Sequence, residues 1–103
     1  MTMTTTNTNG VIDLLALAQA AIKFSQAAAD VNHRQQALDE AYFSWRVSAG
    51  VHELIERNDE NWMAMMAATA EEYRQKQNAK GRERRTKAKL LALVAGLERV
   101  NQP

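Results

Sequence analysis

Two spacings in this chain would bring chemically active side chains together on a helix. His52 and Glu56 are four residues apart, in a stretch that begins like an HExxH zinc helix but has Glu56 in place of the second histidine. The only other histidine, His33, lies about five turns away in the same predicted helix. Because catalytic zinc needs three protein ligands, we expect no metal site here.

Ser48 and His52 are also one helical turn apart. Nucleophilic catalysis would require an orienting acid and an oxyanion hole, and a helix interior offers no free backbone N–H for the latter. The four glycines are scattered, so no phosphate-binding loop is indicated, and the chain has no cysteine. We therefore predict a non-enzymatic protein with no catalytic residues and no cofactor.

The strongest chemical signal is the positive charge between residues 74 and 89. This segment has a formal charge of +7, whereas the whole chain has +1 and residues 1–73 carry ten acids against four bases. Such an asymmetry informs about partners rather than fold. The predicted partner- or nucleic-acid-binding residues are Arg74, Lys76, Lys80, Arg82, Arg84, Arg85, Lys87 and Lys89.

Three interpretations of this basic segment stay open. It is a solvated helix surface, a nucleic-acid-binding surface that neutralises phosphates, or a surface that meets an acidic protein. The segment has no interleaved aromatic residues for base stacking and no helix-turn-helix or zinc-finger pattern. Sequence-specific readout of nucleic acid is therefore not expected.

The elements that carry these residues are predicted to be helical almost throughout. Strong helix formers dominate the composition, and the only proline is the last residue. Residues 1–10, rich in Thr and Asn, are predicted to be a disordered tail, with Asn9 or Gly10 capping the first helix. Residues 11–103 are predicted to form one helical domain.

In the first arm, residues 11–57, apolar residues recur at the heptad spacing that is typical of a helix packed on another helix. A break at residues 30–33 would be the main alternative to one long helix, and Gly50 is predicted to cause a kink rather than a stop. The first row of the seam is Leu17, Phe24, Val31, Leu38 and Trp45, and the second row is Leu14, Ala21, Ala28, Gln35, Tyr42 and Ala49.

The chain is predicted to turn at Asn58–Asp59, with Asp59 as the N-cap of a second arm over residues 60–100. In this arm Gly81 is a possible helix end and Thr86 a possible cap. An antiparallel hairpin with this turn would pair residues whose numbers sum to about 117. The polar segment at residues 30–36 would then face residues 81–87, with Asp30 and Asp39 near the basic segment.

A bare two-helix hairpin is rarely stable by itself, and the first arm has a second apolar stripe one residue beyond the seam. This stripe contains Leu15, Ile22, Ala29 and Phe43. We therefore expect an all-α hairpin, or a three- or four-helix bundle if its arms are broken, that is completed by a second copy or a larger partner. The predicted apolar partner contacts are Phe43, Trp45, Trp62, Met63 and Met66.

The longest strongly apolar stretch, residues 11–22, is too short to span a bilayer, and the N-terminus lacks the positive region of a signal peptide. We expect a cytoplasmic protein. The leading functional hypothesis is a binding protein that docks on a larger assembly as an adaptor or inhibitor, in the style of a bacterial or phage accessory factor. The alternatives are a nucleic-acid-binding protein and a self-assembling coiled coil.

Overall fold

The computed structural model describes the backbone of residues 2–101 and the side chains of residues 10, 11 and 13–99. Three helices account for nearly all of this part of the chain: α1 (Thr2–Ala49), α2 (Glu60–Ala68) and α3 (Ala70–Asn101). α1 and α3 pack against each other in antiparallel orientation, and α2 contacts the end of α1. The molecule is a rod of 74 × 20 × 16 Å. The predicted long antiparallel hairpin is confirmed.

α1 ends at Ala49 because Gly50 adopts the left-handed conformation, with φ of 70°. The Gly50 N–H donates to the Val47 carbonyl (3.2 Å) and the Val51 N–H donates to the Arg46 carbonyl (3.0 Å). These two bonds form a Schellman motif, in which a hydrophobic residue commonly follows the glycine, and here Val51 is buried. The prediction that the first helix continues past Gly50 is therefore wrong.

At its other end, α1 extends further than predicted. Its backbone is helical from Thr2, where composition predicts a disordered tail and a cap at Asn9 or Gly10; Met1 lies outside the described residues. No proline interrupts the chain there, and a formed helix gains one hydrogen bond for each residue it adds. The alternative of a break at residues 30–33 is also wrong, since α1 passes through them.

α2 and α3 form one arm whose helix is interrupted at a single residue, Thr69. Asp59 is the N-cap as predicted, because its carboxylate accepts from the backbone N–H groups of Trp62 (2.6 Å) and Glu56 (2.9 Å). At the interruption the hydroxyl of buried Thr69 donates to the Met65 carbonyl (2.7 Å), a bond that often bends helices. Backbone bonds on both sides of Thr69 keep the helical spacing.

α3 continues through both sites at which the sequence allows a helix end. Gly81 is a helical residue in the interior of α3. The Thr86 hydroxyl donates to the carbonyls of Arg82 (2.9 Å) and Glu83 (3.0 Å). It is therefore hydrogen-bonded to the preceding turn of the same helix and does not cap a new one. The helix of the second arm is therefore interrupted at Thr69, which the sequence did not indicate, and not at Gly81 or Thr86.

The register of the hairpin differs from the predicted one. Arg34 donates to Gln75 (2.8 Å) and Asp30 accepts from Arg82 (3.2 Å), so facing residues have numbers that sum to about 110 and not 117. The shift is about seven residues, or roughly 10 Å of helix. Its cause is the early end of α1, which moves the centre of the connection from residues 58–59 to the middle of residues 50–59.

The seam between the helices is narrow. Its first predicted row is confirmed, since all five members are buried or half-buried. The second row is only partly in the seam: Ala28, Gln35 and Tyr42 are half-buried, whereas its other three members, Leu14, Ala21 and Ala49, are exposed. The buried alanines each lie one residue earlier in the chain, at Ala20 and Ala27, where small side chains let the two backbones approach. The buried apolar side chains among the described residues are Ala20, Ala27, Leu38, Val51 and Ala79.

This core is too thin for a compact fold. The radius of gyration is 21.9 Å, against about 13 Å for a compact domain of this length. The accessible surface is 7858 Å², whereas a compact monomer of 11.5 kDa exposes about 5,800 Å². About 2,000 Å² of additional surface thus faces solvent.

Candidate binding surfaces

All eight predicted basic residues lie on α3, and two of them are engaged within the chain. Arg82 forms the ion pair with Asp30 on α1, so one of the two predicted acidic neighbours is in place. Asp39, the other, instead accepts a hydrogen bond from Gln35 on its own helix. The register shift explains this difference, because it moves Asp39 towards the start of α3.

Arg74 is the second engaged base. Its Nε donates to Glu71 Oε2 (2.9 Å), and a second guanidinium nitrogen donates to the other carboxylate oxygen. The hydrogen bond from Arg74, followed by the proximity of its charge, lowers the pKa of Glu71, and the same pair raises the pKa of Arg74. Arg74 therefore belongs to an exposed local ion pair at the beginning of α3.

Lys76 and Lys80 are half-buried, and Lys76 lies in the seam. The remaining four bases are exposed and form no salt bridge with any side chain that the structure describes. At 100° per residue they point around the whole solvent-facing side of α3 rather than along one line. We call this set the basic surface; it consists of Arg84, Arg85, Lys87 and Lys89.

Gly81 shapes the basic surface. A side chain starting at this glycine would place its first carbon 3.1 Å from Arg85 Nη1 and 3.8 Å from Arg84 Nη2. Both guanidinium groups therefore fold back over the same glycine on the outer face of α3. The sequence marks Gly81 as a helix breaker, and nothing in its spacing indicates this role.

Charge is divided along the rod. The Arg34–Gln75 contact separates a loop half, residues 35–75, from an open half that contains both chain ends. The loop half holds eight acids against three bases, a net charge of −5, and the open half holds ten bases against four acids, a net charge of +6. The basic surface lies in the open half.

The predicted apolar contact residues divide into two groups. Phe43 and Met63 are 69 % and 61 % exposed. Trp45, Trp62 and Met66 are half-buried where α1 meets α2. There the Tyr42 hydroxyl contacts Met66 Sδ (3.6 Å), and burial, followed by the charges of Tyr73 and Asp39, raises the pKa of Tyr42.

The second apolar stripe of α1 is exposed, as the hairpin argument predicted. Leu15 is 57 % and Ile22 56 % exposed, on the side of α1 opposite α3. Val11 and Val47, exposed to 55 % and 58 %, extend the stripe in both directions. Val11 and Val47 were not predicted from the sequence, although each lies one helical turn beyond an end of the stripe. We call this side of α1 the back face; it contains Val11, Leu15, Ile22, Ala29, Phe43 and Val47.

The candidate catalytic pairs, Ser48 with His52 and His52 with Glu56, do not lie one turn apart on a helix. Ser48 lies in the last turn of α1, whereas His52 and Glu56 lie in the loop after Gly50, so the helical geometry that would bring them together is absent. In the part of the chain that the structure describes, no group of three or more potential ligands could hold a metal ion. None of the described helices has the length and apolarity to cross a membrane.

Comparison with known proteins gives no family assignment: no protein-family model, curated protein or solved structure matches this chain.

Proposed function

We propose that this protein is a small non-enzymatic helical binding protein that docks on a larger macromolecular assembly and modulates it, as an adaptor or inhibitor. In this proposal the basic surface of α3 is the docking site, and it meets a concave acidic surface of a protein partner. The loop half, with its net charge of −5, points away from that partner.

The observation that carries the proposal is the arrangement of the two guanidinium groups over Gly81. Arginine presents a planar set of donors that matches a carboxylate. Two such groups folded over the same glycine of one helix are arranged to receive two neighbouring carboxylates. Lys87 and Lys89 extend the positive charge along the next turn, so a groove that encloses α3 contacts all four bases.

Nucleic acid would use the same side chains. The basic segment, residues 74–89, has no interleaved aromatic residue on which bases could stack, and this favours an acidic protein over single-stranded nucleic acid. The loop half repels phosphates and carboxylates alike, so nuclease treatment and salt dependence are needed to separate the two partners.

The test is affinity purification of the tagged full-length chain, followed by mass spectrometry and by binding measurements with the purified partner. The disrupting variant is Arg84→Glu/Arg85→Glu. The matched control is Arg57→Glu/Arg99→Glu, which makes the same change in charge at exposed positions outside the basic surface. A third variant, Gly81→Leu, keeps every charge but displaces both guanidinium groups.

We expect one partner to be retained by the wild type and the control and lost by the other two variants. Equal retention by Arg84→Glu/Arg85→Glu would overturn the proposal. If capture disappeared after nuclease treatment, the basic surface would be a nucleic-acid-binding surface instead. That alternative also predicts duplex affinity that falls roughly 10³-fold between 50 and 200 mM salt for six phosphate contacts.

A further inference from the structure

We infer that the back face of α1 is a homodimer interface, in which α1 packs antiparallel on α1 of a second copy with the two-fold axis at Ala29. This inference is independent of the proposed function, because the back face lies on the side of α1 opposite α3. The two surfaces can therefore be occupied at the same time.

The apolar side chains at the two ends of the back face lie symmetrically about its middle. A two-fold interface pairs a surface with itself, so its residues must be distributed equally on both sides of the axis. Leu15 and Phe43 are each fourteen residues from Ala29, and Val11 and Val47 are each eighteen residues from it. An antiparallel pair centred on Ala29 therefore places Leu15 against the partner's Phe43 and Val11 against the partner's Val47.

The positions between these ends follow the same symmetry at the alternating spacing of helix packing. Ile22 would meet the partner's Gln36, and Ala18 would meet the partner's Glu40. Ala29 would meet its own copy, where the small side chain lets the two backbones approach closely. Every position of this set is exposed in the single chain: 11, 15, 18, 22, 25, 29, 33, 36, 40, 43 and 47.

The surface that would meet Leu15 of the second copy is open. It is a shallow, nearly flat stretch of α1 formed by Gln36, Asp39, Glu40, Phe43 and Ser44. In the antiparallel pair, Leu15, Ala18 and Ile22 of the second copy lie at the level of this stretch, where Phe43 is the apolar contact.

Repulsion between the two basic surfaces does not oppose this arrangement. The basic surfaces lie on α3, so the two α1 helices separate them in the dimer. Packed helices are 8–10 Å apart, and the two α3 helices are therefore roughly 25 Å from each other. This distance is several times the Debye length of about 8 Å at physiological ionic strength.

The exposed area is sufficient for a stable interface. A standard interface takes roughly 600–1,000 Å² from each partner. This chain exposes 7858 Å², about 2,000 Å² more than a compact protein of its mass. A second copy on the back face covers five of the exposed large apolar side chains: Val11, Leu15, Ile22, Phe43 and Val47.

The first experiment uses cysteine cross-linking, since the chain has no cysteine of its own. In full-length Ala29→Cys the two thiols meet at the axis, so mild oxidation should give a covalent dimer rapidly. Ala18→Cys and Glu40→Cys should each stay monomeric after denaturation, whereas an equimolar mixture should cross-link. Rapid homodimer formation by Ala18→Cys alone would show a parallel pair and overturn the inference.

The second experiment measures mass by sedimentation equilibrium. Leu15→Glu is compared with Leu91→Glu, because the two leucines are equally exposed (57 % and 56 %) and only Leu15 is on the back face. We expect Leu15→Glu to weaken dimerisation about 100-fold, since each dimer loses the contact twice, and Leu91→Glu to leave it unchanged. A monomeric wild type, or equal loss in both variants, would overturn the inference.

Discussion

Replacing Gly50 with alanine tests the helix end that sets the register of the hairpin. Gly50 has φ of 70°, and a side chain there would meet no atom within 4 Å, so the effect of Gly50→Ala is conformational and not steric. The left-handed conformation costs a residue with a side chain about 1–2 kcal/mol. Alanine also restricts the conformations of the unfolded chain, and this offsets roughly 0.4–1 kcal/mol of that cost. A net loss of about 1 kcal/mol in the free energy of unfolding is expected.

The matched control is Gly96→Ala, the same chemical change in the interior of α3. A side chain at Gly96 would meet only an Arg99 guanidinium nitrogen, at 4.0 Å, which is ordinary contact. Alanine is favoured over glycine in a helix by roughly 0.5–1 kcal/mol, so Gly96→Ala should stabilise the protein. The two variants should differ by about 2 kcal/mol, with opposite signs relative to the wild type.

Urea unfolding followed by circular dichroism measures both changes at one fixed protein concentration, since dimerisation would make stability depend on concentration. Gly50→Asn should recover part of the loss, because asparagine tolerates the left-handed conformation. If Gly50→Ala stabilised the protein as Gly96→Ala does, α1 would have to continue through residue 50. The register near 110 would then be refuted.

Further predictions concern the core, the second helix start and the exposed ion pair. Leu38→Ala, at the largest fully buried side chain, should lower the free energy of unfolding by about 2–5 kcal/mol, and a change below 1 kcal/mol in urea unfolding would contradict the described seam. Asp59→Ala removes the two N–H acceptances at the cap and should cost about 1–2 kcal/mol in the same assay, whereas Asp59→Asn should retain most of the stability. Arg74→Gln should raise the pKa of Glu71 towards 4.5 in a carboxyl NMR titration. Because the pKa of Glu71 is lowered in the folded state, the pair stabilises above pH 4.5 and this contribution is lost as the pH falls through the lowered pKa; an unchanged Glu71 titration would contradict the pairing.

The sequence was sufficient to predict two antiparallel helical arms, because the heptad row from Leu17 to Trp45 is an unambiguous signal of helix packing. It was not sufficient for the register. The heptad spacing runs up to Ala49 and has His52 at its next place, so periodicity gives no sign of a helix end at Gly50. The Schellman geometry that ends α1 depends on backbone hydrogen bonds. Asp59 was recognisable as a cap since its residue type and its position before an apolar run agree.

The candidate surfaces were predictable to different degrees. Charge counting locates the basic segment without reference to a fold, whereas the pairing of Arg82 with Asp30 depends on which residues face each other. The exposed stripe of Leu15 and Ile22 follows from the wheel of a single helix. The role of Gly81 could not be predicted, because it arises from the way two arginine side chains fold back over the helix.

The division of charge along the rod has a consequence that the total of +1 conceals. At low ionic strength both cation- and anion-exchange resins should retain the protein, each through a different half, because −5 and +6 are separated along a body 74 Å long. At roughly 0.01 M salt the Debye length is about 30 Å, so a surface close to one end of the 74 Å body is still largely screened from the opposite end. Such a surface therefore interacts with the charge of one half, and the net charge of +1 does not describe this interaction.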